Sequence, residues 1–354
     1  MKIRKRYVLV GGDYSAQEPR VTAVLAHEKD MQSAFDNDRD VYSTIAAKAF
    51  HTSYENCLEH FPKNTPIYEH DGNWYYFTDK ENPCYRYFQP EKEDKLADGS
   101  TDTYHDGKLR RKQSKVILLG MLYGRGDKSL AEQLNCDLEE AKGIKEAVFS
   151  AFPNLVAFEN ENIEHVKKYG YVETLWGRKR RLPDVQLPDY DFTFPDDTLT
   201  SYDRKKIEDY YTKKLNGVYG FEKRQPIIEE CKQKYGVKIK DNNGLIAKAL
   251  RQATNARVQG SASDLTKKAI VAITSDERLT KMGFRIIVPI HDELINEVPL
   301  YNVKEAIPLF VYDMGTAGKE FIPGIIKVDP SVTYNWYGDE IDVDKELHHR
   351  GDDK

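Results

Sequence analysis

The chain has 354 residues, enough for about two domains with cores that need no covalent staples. It is 40% apolar and 31% charged, with a mean hydropathy of −0.69, and its four cysteines (Cys57, Cys84, Cys136, Cys231) lie far apart with no C-x-x-C pair, which argues against a disulfide framework and a cysteine zinc site. Net charge is −5, so any nucleic-acid partner needs a local basic surface; no apolar stretch approaches a membrane span and none follows the basic start Met-Lys-Ile-Arg-Lys-Arg, so a soluble, intracellular, cytoplasmic protein is expected.

Val8-Leu9-Val10 predicts a short buried strand running into Gly11-Gly12 and Asp13. Apolar residues then recur at helical spacing from Pro19 to about Ala26 and from Met31 to Phe50. Pro19 is tolerated there because a first helical turn offers its missing N–H no partner. Residues 55–107 break the pattern. Positions 55–106 hold 12 Asp/Glu against 5 Lys/Arg, and Tyr68…Asp71-Gly72…Trp74-Tyr75-Tyr76-Phe77 reads as a hairpin around an Asp-Gly turn. This acidic, aromatic stretch is expected to be an insertion on a helical scaffold. Helix is predicted from Lys108 to Gly170 with a break at Gly124–Gly126, and residues 108–128 carry seven basic residues against Asp127 alone. Further basic groups stand at Arg178–Arg181, Arg204–Lys206 and Lys248–Arg257. The charged, Tyr- and Lys-rich stretch 184–247 reads as a second insertion, followed by a helix over about 246–274. Phe284–Ile290 and Leu294–Val298 predict two strands flanking His291-Asp292-Glu293. Pro289 cannot donate to a ladder, so its strand should be an edge or bulged. The acidic tail after Gly338 is expected to fray.

Three constellations carry chemistry. Asp13-Tyr14-Ser15-Ala16-Gln17-Glu18-Pro19-Arg20 places a carboxylate at the end of a buried strand and a second acid five residues on. Arg111, Lys115, Leu119 and Tyr123 recur every fourth residue, so two cations, an apolar residue and an aromatic form one helix stripe that suits a nucleoside triphosphate. His291-Asp292-Glu293 sets two adjacent carboxylates at a strand turn. Asp13 and Asp292 on neighbouring strands could hold two Mg²⁺ ions, which take carboxylate oxygens and stabilise both oxygens of an in-line phosphoryl displacement.

In order and in sequence these segments resemble the polymerase domain of family A DNA polymerases. Asp13-Tyr14-Ser15…Glu18-x-Arg20 is similar to motif A, Arg111-x-x-x-Lys115-x-x-x-Leu119-Gly120-x-x-Tyr123-Gly124 to motif B, and His291-Asp292-Glu293-Leu294 to motif C. Tyr171-Val172-Glu173-Thr174-Leu175-Trp176-Gly177-Arg178 and Asn255-x-x-x-Gln259-Gly260-Ser261-Ala262-x-Asp264 also resemble family segments. The resemblance spans about residues 7–338 outside the insertions. It implies an α+β fold: an antiparallel palm sheet (1–54 and 248–338) and a large helical fingers subdomain (108–183), with insertions at 55–107 and 184–247 and a tail at 339–354. It implies that Asp13 and Asp292, with the Tyr14 carbonyl, bind two Mg²⁺ ions, with Glu293 a supporting acid. Glu18 and Tyr123 form a steric gate against a 2′-hydroxyl; Arg111 and Lys115 hold the dNTP triphosphate beside Leu119. Arg251, Asn255, Gln259, His291 and Arg178 touch primer–template DNA. Leu119 stands where the family has Phe or Tyr, and Gln17-Glu18-Pro19 replaces the commoner Ile-Glu-Leu.

Only a few residues precede motif A, whereas the family carries a thumb there and, in proofreading members, a 3′–5′ exonuclease. The expectation is the catalytic part of a split or truncated phage-type replicative polymerase, acting in the host cytoplasm, with a second polypeptide supplying thumb and exonuclease. The alternatives are a self-sufficient, distributive gap-filling polymerase and a non-catalytic DNA- or partner-binding remnant.

Overall fold

The computed structural model describes residues 7–59, 67–70, 73–76, 86–87, 103–195, 199–336 and 338–348. Strand β1 (Tyr7–Tyr14) is followed by helices α1 (Gln17–Leu25), α2 (Lys29–Asp36) and α3 (Val41–Ala49). Three short strands, β2 (Ile67–His70), β3 (Asn73–Tyr76) and β4 (Arg86–Tyr87), pair antiparallel. Helices α4 (Thr103–Leu122), α5 (Asp127–Leu134), α6 (Leu138–Ala151) and α7 (Pro153–Tyr169) come next, then the paired strands β5 (Tyr171–Glu173) and β6 (Lys179–Arg181). β7 (Tyr190–Thr193), α8 (Ser201–Leu215), α9 (Phe221–Tyr235) and β8 (Lys238–Asp241) lead into α10 (Asn243–Ser275). α11 (Glu277–Lys281), β9 (Arg285–Ile290), β10 (Glu293–Pro299), α12 (Val303–Thr316), β11 (Val328–Thr333) and α13 (Val343–His348) complete the described chain. The class is α+β with an antiparallel sheet, as expected.

The chain divides into two units. The first comprises Met1–Glu161, Glu173–Lys179 and Thr254–Lys354. Its four-stranded sheet has the order β11-β1-β10-β9, antiparallel throughout. In β1 the period of two buries Val8, Val10, Gly12 and Tyr14 and leaves Asp13 on the open face. Val8, Val10 and Tyr14 join Leu294, Val298, Phe310 and Met314 in one core, and the Tyr14 hydroxyl donates to the Met314 carbonyl at 2.7 Å. β1 runs through both glycines to Tyr14, in line with the expected strand that carries Asp13 at its end. Gly12 fits the packing there, because a Cβ on it would lie 2.4 Å from the Phe310 ring of α12. Gly12→Ala is expected to destabilise by about 1–3 kcal/mol, the usual cost of overpacking, read as a lower urea midpoint at unchanged slope. Pro289 lies in β9, an edge strand, and the β9–β10 register shifts at Ile295/Asn296, so both halves of the expectation for that proline hold.

The helical stretch 31–50 is two helices. Asp38 takes a left-handed φ of 50°, and the Asp40 carboxylate caps α3 by accepting from the Ser43 N–H at 2.7 Å. The expected break at Gly124–Gly126 is present, with Gly124 at φ 62°; further breaks fall at Asn135 and Phe152. α4 starts at Thr103, inside the stretch read as insertion. β2 and β3 pair as the hairpin reading requires, while its Asp71-Gly72 turn lies outside the described residues. Of the tail expected to fray, the described residues 338–348 are held: Ile341 N–H donates to the Val332 carbonyl, Tyr334 donates to Glu346, and Ile341, Val343 and Leu347 pack on the core, while 349–354 lie outside the described residues.

The second unit comprises Asn162–Val172 and Arg180–Ala253 and has a core of its own, formed by Tyr190, Ile207, Tyr211, Leu215, Ile228, Cys231, Val237 and Ile239. β7 and β8 pair antiparallel, and α8 and α9 are tied by Lys214–Glu230 and by the Tyr211 hydroxyl on the same carboxylate. No helix among the described residues is long and apolar enough to cross a membrane.

Candidate active site

The site begins where β1 and β10 end side by side. Asp13 is opposite Glu293 on one neighbour and Asp329 on the other, and the Tyr14 N–H donates to the Asp292 carbonyl at 3.3 Å. Both turns that deliver these aspartates are left-handed at non-glycine residues, Ala16 at φ 54° and His291 at φ 54°. Such conformations persist only where surrounding contacts impose them. Arg20 supplies one: its Nε donates to the Ser15 carbonyl at 2.9 Å while its guanidinium stacks 4.2 Å from the Phe35 ring. Gly11 supplies room, because a Cβ there would lie 2.8 Å from a Glu293 carboxylate oxygen.

The carboxylates repel one another. Burial, and then Asp292, Glu293 and Asp329, raise Asp13 from 3.8 to about 6; burial and Asp292 raise Glu293 as well. Among the described residues no group of three or more His, Cys, Asp or Glu is arranged to hold a metal ion by itself. The donor set still fits a hard divalent ion, since Mg²⁺ is ordinarily held by one or two carboxylates with water and phosphate oxygens completing the shell.

A cleft of about 870 Å³ adjoins Asp292 and His291. Glu18, Lys115, Leu119, Tyr123 and Gln259 line it, as do Tyr42, Thr266 and Pro289. Tyr123 follows the last turn of α4, and its hydroxyl donates to a Glu18 carboxylate oxygen at 2.8 Å and also hydrogen-bonds Gln259. Burial and the adjacent Glu18 push that phenol up to about 12. Gln17, buried beneath Glu18, donates to the Ala262 carbonyl at 3.2 Å and to the Thr266 hydroxyl at 3.0 Å, tying α1 to α10. That pair of bonds is why an amide stands where an aliphatic residue is commoner.

Two expected ligands are otherwise engaged. Arg111 does not line the cleft: it grips Asp40 through two nitrogens (3.0 and 2.8 Å) and Glu59 through the third (3.0 Å). Burial alone would raise Asp40, but Arg111 and the Ser43 N–H hold it below the ordinary carboxylate range. The helix stripe is therefore real, yet only Lys115 of its two cations faces the cleft, with its ammonium 5.4 Å from the Tyr42 ring. Arg178, expected on DNA, donates to Asp264 at 2.8 Å and to the Gly260 carbonyl at 3.0 Å. Asn255 is half-buried on α10, and Arg251 lies on the part of that helix belonging to the second unit.

Four contributors escaped the sequence reading. Tyr42, Asp40 and Glu59 carry no motif and lie dozens of residues from the helix they serve. Asp329 had a usable signal, since Val328 and Val332 flank it in a strand pattern whose odd positions face out.

Comparison with known proteins follows this geometry. The DNA polymerase family A model matches residues 100–338. DNA polymerase I of Geobacillus stearothermophilus is 24% identical over 343 residues, covering 95% of this chain and 27% of the relative. The thermostable DNA polymerase I of Thermus aquaticus is 29% identical over 191 residues, 54% of this chain and 16% of the relative. Among solved structures, the POL domain of Pol1 from M. smegmatis, in complex with DNA primer-template and dNTP, superposes with a TM-score of 0.59 at 21% identity, covering 94% of this chain and 41% of that one. The chain thus spans about a quarter of the length of the curated relatives it matches.

Proposed function

The chain belongs to DNA polymerase family A, and from that premise we propose that it transfers dNMP units to a primer 3′-hydroxyl under direction of a template strand, as the catalytic palm (1–54, 248–338) and fingers (108–183) of a phage-type replicative enzyme. The observation that carries this reading is the convergence on one cleft of Asp292, Lys115 and the Glu18–Tyr123 pair. Asp13, Asp292 and the Tyr14 carbonyl would hold two Mg²⁺ ions, with Glu293 beside them. Bound there, the ions would supply charge stabilisation for the attacking and leaving oxygens. Lys115 holds the triphosphate and neutralises charge that grows on it in the transition state. Arg111 joins it only by exchanging two carboxylates for phosphate, so its share depends on how readily Asp40 and Glu59 release it. His291, Gln259, Asn255, Arg251 and Arg178 contact primer and template, largely through the backbone, because a polymerase cannot prefer one sequence.

The Glu18–Tyr123 bond and Leu119 share one cleft, which supports a gate against the sugar of an incoming nucleotide. A 2′-hydroxyl there would crowd against the carboxylate and the ring. Glu18→Ala is expected to narrow the dNTP/rNTP ratio of kcat/KM by about tenfold or more, with dNTP use less affected. An unchanged ratio removes the gate.

The direct test is extension of a short primer–template by the purified chain with Mg²⁺ and dNTPs at low salt, since phosphate contacts weaken steeply with salt. Extension by the chain alone supports a self-sufficient enzyme. Extension only on adding a second polypeptide that carries thumb and exonuclease supports the split arrangement. Absence of extension in both leaves the non-catalytic remnant.

A further inference from the structure

The second unit carries a charge opposite to that of the whole chain. Residues 199–253 hold 13 Lys/Arg against 7 Asp/Glu, whereas the full chain is at −5. The same segment exposes aromatic rings that its own core leaves uncovered: Tyr202 is 74% exposed, Tyr210 56%, Tyr219 83% and Phe221 66%. Single exposed apolar residues are ordinary, but four large rings on one helix pair are not.

Their spacing is ordered. Ile207, Tyr211 and Leu215 bury one face of α8, and Tyr202, Lys206, Tyr210 and Lys214 recur every fourth residue away from it, aromatic and cation in alternation. Tyr202 and Tyr210 stand about 12 Å apart along the axis at 1.5 Å per residue. Past the end of α8 the connecting loop turns through Gly217 (φ 79°) and Gly220 (φ 97°), a left-handed backbone at both positions, and projects Tyr219 and Phe221. Lys213 precedes that loop and Lys223 follows it; both are exposed and neither forms an ion pair among the described residues. Of the acids on α8, Asp203 is held by the Thr200 cap, and Asp209 is the exposed one on this face.

We propose that this face of α8 and the α8–α9 loop form a binding surface for single-stranded DNA, with bases stacking on Tyr202, Tyr210, Tyr219 and Phe221 and phosphates paired with Lys206, Lys213 and Lys223. Alternating rings and cations suit a polynucleotide strand because every base offers a ring face and every linkage a charge. An apolar protein partner would use the rings but not the lysines between them. The choice of DNA rests on the polymerase reading; the surface itself does not.

The test uses the full chain and fluorescein-labelled oligo(dT), followed by anisotropy. Tyr219→Ala/Phe221→Ala is expected to weaken binding about tenfold or more. Lys206→Ala/Lys213→Ala is expected to flatten the dependence of log K on log salt by about 0.7 per lysine. All four positions are exposed, so circular dichroism of each variant should match the parent, and the two variants test the surface independently. A parent that does not bind oligo(dT), or binding that neither variant alters, overturns the proposal. Extension assays separate it from the catalytic reading. On a template with a one-nucleotide overhang the variants should extend as the parent does, and on a long overhang they should need more DNA to reach half-maximal rate. Equal loss on both templates marks a structural role and overturns the surface. Extension with ring-independent oligo(dT) binding removes the surface and keeps the polymerase; ring-dependent binding without extension does the reverse.

Discussion

Asp13→Asn and Asp292→Asn are each expected to lower primer extension by about a thousandfold or more, equivalent to about 4 kcal/mol of lost transition-state stabilisation. Asp13→Asn should at the same time melt above the parent in metal-free buffer at pH 8. In the parent, burial and three neighbouring carboxylates raise Asp13 to about 6 against 3.8 in the unfolded chain. The folded chain therefore binds the proton more tightly. The favourable contribution of this group is complete below pH 4 and is lost as pH rises through 6. Above pH 6 the charge is a net cost, about 1 kcal/mol once solvent screening of the exposed carboxylate is allowed for. Asparagine removes that cost, so variant and parent should differ most at pH 8 and converge toward pH 4 in thermal unfolding with EDTA. Adding Mg²⁺ should raise the parent melting temperature at pH 8 and leave Asp13→Asn nearly unmoved. An active Asp13→Asn, or one whose melting point falls at pH 8, contradicts the assignment.

Lys115→Ala is the second large effect, a loss of about a hundredfold or more in kcat/KM, the scale seen when one preorganised donor to a developing oxyanion is removed. Lys115→Arg should restore part of it, because a cation on the same stem still reaches the cleft. Arg111→Ala is predicted to behave differently. It leaves Asp40 and Glu59 without their shared cation and so lowers stability as well as activity. Asp40→Asn with Glu59→Gln loosens the same grip from the other side and should lower the KM for dNTP if Arg111 then reaches phosphate. Steady-state kinetics beside a melting curve distinguishes the two cations: Lys115→Ala should leave the melting temperature almost unchanged, and Arg111→Ala should not. Equal stability losses would mean that Lys115 is structural too.

Local order was readable where one periodicity acted without competition. α10 is legible over nearly its whole length because no proline interrupts it and small or apolar residues recur at helical spacing on its buried face (Ala249, Ala253, Val258, Ala262, Leu265, Ala269, Ile273). The strand–turn–strand around His291 is legible because two apolar runs bracket three polar residues. The division of 31–50 was not, since the break depends on a left-handed Asp38 and a capping Asp40 that leave the apolar rhythm intact. The same holds for the site. Glu18, Lys115 and Asp292 line one cleft, and Asp13 stands near the end of β1 without lining it. The state of Arg111 depends on Asp40, 71 residues away, and on Glu59, 52 residues away. A helix stripe states which way a side chain leaves its helix and nothing about what awaits it.

Both outer strands of the main sheet contain a proline, Pro289 in β9 and Pro330 in β11, and each removes one backbone donor from a border that would otherwise be open. The sheet is thereby terminated from both sides. A neighbouring molecule lengthens it less readily by laying down a strand in continuous register, which guards a concentrated solution against stacking through these borders.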